Sequence, residues 1–170
     1  MKIKRHEGHE RETPNSHIYH SLLPILFILI WILDTITFRF STFLNDYIHI
    51  WVRLILFVII FSTSIIFIQL SHRILFKTHR PPNKLITNGI LRYVRNPMYF
   101  GILLIYVAFL FLSISLISVG FFIIVFVVYN WMVNFEENIL LDMFGDEYKE
   151  YKSKVSKWIP NPFKKYNKMI

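Results

Sequence analysis

Residues 97–135 read PMYFGILLIYVAFLFLSISLISVGFFIIVFVVYNWMVNF, without one Asp, Glu, Lys or Arg. About 20 helical residues cross the ~30 Å hydrocarbon core of a bilayer, because each adds about 1.5 Å. This run is too long for one span, so it predicts a tight hairpin of two helices with its turn near Ser115 to Gly120. Upstream, apolar runs over roughly Leu22 to Phe38 and Ile50 to Leu70 predict two more spans. Pro24 falls near the start of the first, where a missing N–H is tolerated. The expectation is an all-α polytopic membrane protein of about four transmembrane helices. It divides into a polar tail (1–20), the first two spans (21–70) and a region of hairpin and basic tail (71–170).

The charges lie between the apolar runs. Ser71 to Asn96 carries Arg73, Lys77, Arg80, Lys84, Arg92 and Arg95 with no acid, and Pro81-Pro82 makes it extended there. The chain beyond Glu136 is amphipathic and then basic. A net charge of +8 over 170 residues suits the cytoplasmic loops of a membrane protein, where Lys and Arg accumulate, better than nucleic-acid binding. By that rule the 71–96 loop and both termini are cytoplasmic, and their basic residues would rest on anionic lipid headgroups. The N-terminal segment is too polar, and too long before the first apolar run, for a cleaved signal peptide. The chain has no cysteine, which excludes disulfides, thiolate metal sites and cysteine nucleophiles. His6, His9, His17 and His20 lack a ligand spacing, and no metal is expected.

Isolated polar residues within the spans read as structural. Asp34 and Arg53 fall near the outer ends of adjacent helices and predict an ion pair. Ser62, Thr63 and Ser64 can return hydrogen bonds to their own helix. Gly101 would permit close helix packing. Phe144-Gly145 suggests a helix end with a left-handed glycine. Tyr148, Tyr151 and Trp158 suggest interfacial anchors.

The hairpin has a chemical consequence. Pro97 and Glu137 lie about twenty residues either side of the turn, so both stand about 30 Å from it. Arg92-Tyr93-Val94-Arg95-Asn96-Pro97-Met98-Tyr99 therefore meets Asn134-Phe135-Glu136-Glu137 at one depth, the cytoplasmic interface. Such a pocket could take a ligand that carries both charges and a flat ring. The same residues could instead snorkel and pair with one another. Glu136 and Glu137 point about 100° apart on a helix and cannot face one ligand atom together.

Gly89-Ile-Leu-Arg-Tyr-Val-Arg-Asn-Pro-Met-Tyr-Phe-Gly101 resembles the Arg-His-Pro-x-Tyr-x-Gly signature of isoprenylcysteine carboxyl methyltransferases and the related phospholipid methyltransferases. Glu136-Glu137, Leu140, Phe144-Gly145, Tyr148 and Tyr151 resemble the second signature, and Val155 and Pro160 fit its tail. The resemblance covers roughly residues 80–160. It implies S-adenosyl-L-methionine as cofactor and a lipid-like methyl acceptor that enters from the bilayer. Carried over position by position, it implies cofactor binding by Lys84, Leu85, Ile86, Leu91, Asn96, Pro97, Met98, Tyr99 and Glu137. Catalytic placement would fall to Arg95, Tyr99 and Glu137. An arginine would contact the ligand's carboxylate, and Leu85, Ile86 and Leu91 would line an apolar slot for the adenine. Two positions depart from the pattern. Asn96 stands where the family has histidine, and an amide does not titrate near neutrality. Val133 stands near the arginine of members that act on prenylated cysteine. Two other readings use the same residues: a membrane sterol-type reductase using NADPH, and a non-enzymatic membrane adaptor with a lipid-binding tail.

Overall fold

The computed structural model describes residues 13, 15–75 and 84–160. Four helices run up and down: α1 (Ser16–Ile32), α2 (Ile50–Leu75), α3 (Pro97–Leu112) and α4 (Leu116–Lys154). Three of them are long and apolar enough to cross a membrane once α1 is counted through to Phe38. The chain is an integral membrane protein. Its exposed surface is apolar, with Ile25, Ile55, Ile59, Ile123 and Val127 all more than half exposed. In water such a surface would be costly, whereas in lipid it costs nothing.

α1 begins at Ser16 and not near Leu22. His17 and His20 are therefore helical residues, while His6 and His9 lie outside the described residues, as do Lys77, Arg80 and Pro81-Pro82. The earlier start also places Pro24 inside the helix, where it removes a backbone donor from the ladder. After Ile32 the helix widens into a π-helical segment, Leu33–Phe38, which ends at Arg39 with φ 53°. A short 3₁₀ turn (Phe43–Asp46) leads into α2.

α2 and α3 make the most extensive packing, and α1 packs on α4. Gly101 explains the first contact. A Cβ there would lie 2.8 Å from Ile68 Cγ1 and 3.1 Å from the Ser64 carbonyl oxygen, so the backbones meet only because glycine has none. Along α2, Thr63 Oγ1 returns a hydrogen bond to the Ile59 carbonyl at 2.8 Å. Ser64 does not follow that expectation: its Oγ is buried without a partner. The bundle core is Leu23, Phe27, Leu103, Tyr106, Val125, Tyr129 and Met132.

The hairpin turns at Ser113–Ser115, slightly before the expected place. Ser115 caps α4, accepting from the Ser118 N–H at 3.0 Å, which satisfies one of the orphan donors of a helix start. The α1–α2 loop supplies others: Ile117 N donates to Ser41 Oγ at 3.0 Å and Ile114 N to Asn45 Oδ1 at 2.9 Å. Asp34 anchors this junction. Its carboxylate accepts from the Ser41 N–H at 3.1 Å, from the Ser41 hydroxyl, and from the Ser115 hydroxyl. Arg53 donates instead to Asn45 Oδ1 at 2.6 Å and to the Leu112 carbonyl at 3.1 Å. The expected Asp34–Arg53 ion pair is thus replaced: hydroxyls and a backbone N–H meet Asp34, while Asn45 and the Leu112 carbonyl meet Arg53 Nη1, all at the same end of the bundle.

Within α4, Gly145 interrupts the helix with φ 52° and ψ −122°. The φ is positive as expected, but the ψ is not that of a left-handed cap, and the helix resumes at once. Side chains other than hydrogen are excluded from this region by Cβ sterics.

Candidate functional site

The N-terminal end of α3 and the middle of α4 meet around Glu137, at the end of the bundle away from the α3–α4 turn. Pro97 opens α3 at its first position, where its lack of an N–H costs nothing and its φ suits a helix. That fixes Arg95 and Asn96 immediately outside the helix. Arg95 Nε lies 3.0 Å from Glu137 Oε1, and Arg95 Nη2 lies 3.4 Å from Oε2. Asn96 Nδ2 donates to Oε1 at 3.0 Å, and Lys152 Nζ sits 3.1 Å from Oε2. Glu137 is 2% exposed. A buried carboxylate is tolerated only when its lone pairs are met, and here two cations and an amide meet them.

Arg95 also closes the second part of α4. Its Nη1 donates to the carbonyls of Lys152 at 2.8 Å and Val155 at 2.7 Å, which are orphan acceptors of a helix C-terminus. The segment beyond folds back over the site. Val94 bridges to Ser156 in parallel, Arg95 N donates to the Ser156 carbonyl at 2.9 Å, and Asn96 Nδ2 reaches the Lys157 carbonyl at 3.4 Å. Lys157 Nζ then lies 2.6 Å from Asn130 Oδ1 and 2.7 Å from Asn134 Oδ1. These asparagines stand one turn apart on α4, on the stripe that continues to Glu137. Partial burial holds the Lys157 ammonium below the ordinary lysine range, against the opposing pull of Glu137. Trp158 packs on Phe126, with ring centroids 5.6 Å apart.

Glu136 faces elsewhere, as expected from the helix turn, and accepts from the Tyr99 hydroxyl. Tyr99 belongs to an aromatic column. The His20 ring lies 5.6 Å from both Tyr99 and Tyr129, and Tyr129 and Tyr106 bring their hydroxyls within 3.5 Å. α1 is thereby part of the site's floor, and Thr13 Oγ1 reaches the Met132 carbonyl at 3.4 Å.

The hairpin therefore brings Arg95, Asn96, Pro97, Tyr99 and Glu137 together, with Met98 half-buried in the first turn of α3. The preceding segment packs against the second part of α4. Leu85 is buried against Tyr148, Tyr151 and Val155. Leu91 is buried, and its carbonyl accepts from the Tyr151 hydroxyl at 2.6 Å. Ile86 is half-buried, and Lys84 is exposed. Tyr148 and Tyr151, only 1% and 3% exposed, are thus not membrane anchors. They hold the 84–94 segment against α4. Lys152, Lys157, Asn130 and His20 were not singled out by sequence reasoning as parts of this site. The two lysines look like any residues of a basic tail until the break at Gly145 redirects it.

The phospholipid methyltransferase family profile matches residues 48–147, from the start of α2 to just past Gly145 and including the Arg95–Glu137 pair. The chain is 32% identical over 114 residues to methanethiol S-methyltransferase 1 of Bradyrhizobium diazoefficiens, a match covering 61% of this chain and 38% of that protein. It is 35% identical over 82 residues to the protein-S-isoprenylcysteine O-methyltransferase of Dictyostelium discoideum, covering 48% of this chain and 35% of that protein. An uncharacterized protein of Haemophilus influenzae is 41% identical over 63 residues, its whole length. The chain spans less than two-fifths of the length of the two named methyltransferases. The family match nevertheless takes in more than half of the chain, it agrees with the resemblance carried by the two motifs, and the chain belongs to the phospholipid methyltransferase family.

Proposed function

We propose that this chain is an integral membrane methyltransferase that uses S-adenosyl-L-methionine and methylates a lipid-like acceptor, with both termini on the cytoplasmic side. The observation that carries the reading is the buried Glu137 carboxylate, held by Arg95 and Asn96 at the end of the hairpin where the basic segments gather. Family membership supports the same chemistry. Both named relatives are methyltransferases, one acting on a thiol and one on an isoprenylcysteine.

The donor set suits such a cofactor. Glu137 supplies negative charge for cationic groups, Arg95 and Asn96 supply donors for a carboxylate, and Tyr99 supplies a ring face. When bound, the cofactor supplies a methyl carbon on a positively charged sulfur. The protein's task is to hold that carbon in line with an acceptor, and placement of this kind is worth about 7–11 kcal/mol of barrier. Lys152, 45% exposed, is the partner of Glu137 that a cationic ligand group exchanges with most easily. Arg95, tied to two carbonyls as well, stays. Asn96 cannot take a proton near neutrality, so it is not the base for an acceptor that must lose a proton; an anionic acceptor or a neutral amine needs no base before attack. Tyr99 fixes Glu136 and stacks beside His20. The apolar groove between α1 and α3, lined by Phe27, Ile102, Tyr106 and Phe109, offers an acyl or prenyl chain a lateral approach.

The test is binding of labelled S-adenosylmethionine to purified protein in detergent, beside Glu137→Ala. Saturable binding that disappears in the variant is expected. No binding by well-folded protein would sink the proposal, and NADPH binding in its place would point to the reductase reading.

A further inference from the structure

The opposite end of the bundle holds a cavity of about 580 Å³ that the site above does not use. That volume falls within the ~300–1,000 Å³ typical of ligand pockets. Its wall draws on four parts of the chain: Thr35 and Arg39 in and just after the π-helical segment, Asn45 in the α1–α2 loop, Arg53 in the first turn of α2, and Ser113 at the α3–α4 turn, with Trp31 and Phe43 giving apolar surface.

Several features of this wall are not explained by the fold. Thr35 Oγ1 and Arg53 Nε are buried without a hydrogen-bond partner among the described residues, a costly state for polar groups. Arg53 is not free to swing toward water, because its Nη1 is fixed by Asn45 and the Leu112 carbonyl. Arg39 sits at φ 53°, a conformation unfavourable for any residue but glycine and a few polar ones. It lies directly after the π-helical segment Leu33–Phe38, and π-turns within helices concentrate at functional sites. Two guanidiniums thus line one cavity against a single carboxylate, Asp46. Asp34 lies nearby but is taken by serines. Guanidinium is the side chain best matched to a phosphate, through paired N–H donors.

The location selects among phosphates. The cavity lies where α1 ends and α2 begins, so it meets the headgroup layer of one leaflet. Phe40, Tyr47 and Trp51, in the α1–α2 loop and the first turn of α2, are 75%, 83% and 66% exposed, as aromatic residues are at a membrane interface. We propose that this cavity binds the phosphodiester of a membrane lipid from the leaflet that faces the α3–α4 turn. Arg39 and the outer nitrogens of Arg53 hold the phosphate, and Phe43 flanks the chains.

The experiment titrates the full-length protein in detergent with short-chain phosphatidylglycerol, the matching diacylglycerol and inorganic phosphate, read by calorimetry. The lipid should bind saturably. Arg39→Gln should weaken it about five- to tenfold, and Arg39→Lys, which keeps the charge but loses the paired donors, about two- to fivefold. The Arg39 side chain makes no hydrogen bond among the described residues, so these variants should fold even where Arg53→Gln does not. Diacylglycerol binding as tightly as the phospholipid would remove the phosphate from the proposal. Inorganic phosphate binding as tightly would replace the lipid with a free anion. Equal lipid affinity in the wild type and both variants, or no saturable binding, would overturn it.

Discussion

The two ends of the bundle each bury a carboxylate, and they satisfy it in opposite ways. Asp34 is held by serine hydroxyls and a backbone N–H contributed by two turns. Glu137 is held by two cations and an amide, from segments on both sides of it in the chain. Neutral hydroxyls make Asp34 a lock between the α1–α2 loop and the α3–α4 turn, with no group for a ligand to displace. On the proposed reading, charged partners, one of them half exposed, would let Glu137 trade a protein cation for a ligand cation. A buried carboxylate alone therefore does not mark a ligand site; the identity and exposure of its partners do.

The sharpest way to break that contrast is to remove each carboxylate. Glu137→Ala should abolish cofactor binding and methyl transfer, by 100-fold or more. It should also destabilise the protein by about 3–5 kcal/mol, because Arg95 is left buried and unpaired; thermal unfolding in detergent checks the second part. Asp34→Ala should cost about 2–4 kcal/mol through its lost charge-assisted hydrogen bonds, yet leave the cofactor affinity of the folded fraction unchanged. An Asp34 variant that lost cofactor affinity at full occupancy of the folded state would erase the distinction between the ends.

Smaller effects sharpen it. Gly145→Ala forces a Cβ into a backbone region reserved for glycine, at about 1–3 kcal/mol. It should displace Lys152, so cofactor affinity should change along with stability, whereas Gly120→Ala, with open space around it, should leave cofactor affinity unchanged and should not destabilise the protein. Tyr151→Phe leaves the buried Leu91 carbonyl without its donor, at about 1–2 kcal/mol. Faster hydrogen exchange confined to residues 84–94 is the expected signature, and uniform acceleration across the bundle would contradict it.

The helical architecture was legible because membrane helices are written in apolar run length, and Pro97 to Phe135 could hardly be anything but a hairpin. Counting from its turn also sufficed to bring Arg95 and Asn96 to the depth of Glu137, since helical rise is nearly constant. What periodicity does not encode is which polar groups pair. Asp34 and Arg53 have matching charge and depth, but the serines and carbonyls of the turns lie closer, and no spacing rule announces them. Likewise Tyr148 and Tyr151 carry the composition of surface anchors; only the chain's return at Val94 and Ser156 buries them. The start of α1 was misplaced because residues 16–20 are polar, and their helix is sustained by stacking of His20 on Tyr99 and Tyr129.

α3 has 16 residues, about 24 Å at 1.5 Å per residue, against a hydrocarbon layer of ~30 Å. Its two ends are pinned, by Arg95 to Glu137 and by Ser113 to Asn45. The polar groups at those ends lie closer together than the layer is thick, and helix tilt only shortens their separation further. If α3 crosses the layer, the mismatch of about 6 Å has to be met by local thinning of the bilayer or by polar residues at its ends reaching outward, at a cost of fractions of a kcal/mol per Å. Membrane thickness would then act as a physical control: short-chain lipids are expected to favour the folded bundle and long-chain lipids to work against it, which unfolding in bilayers of graded thickness checks.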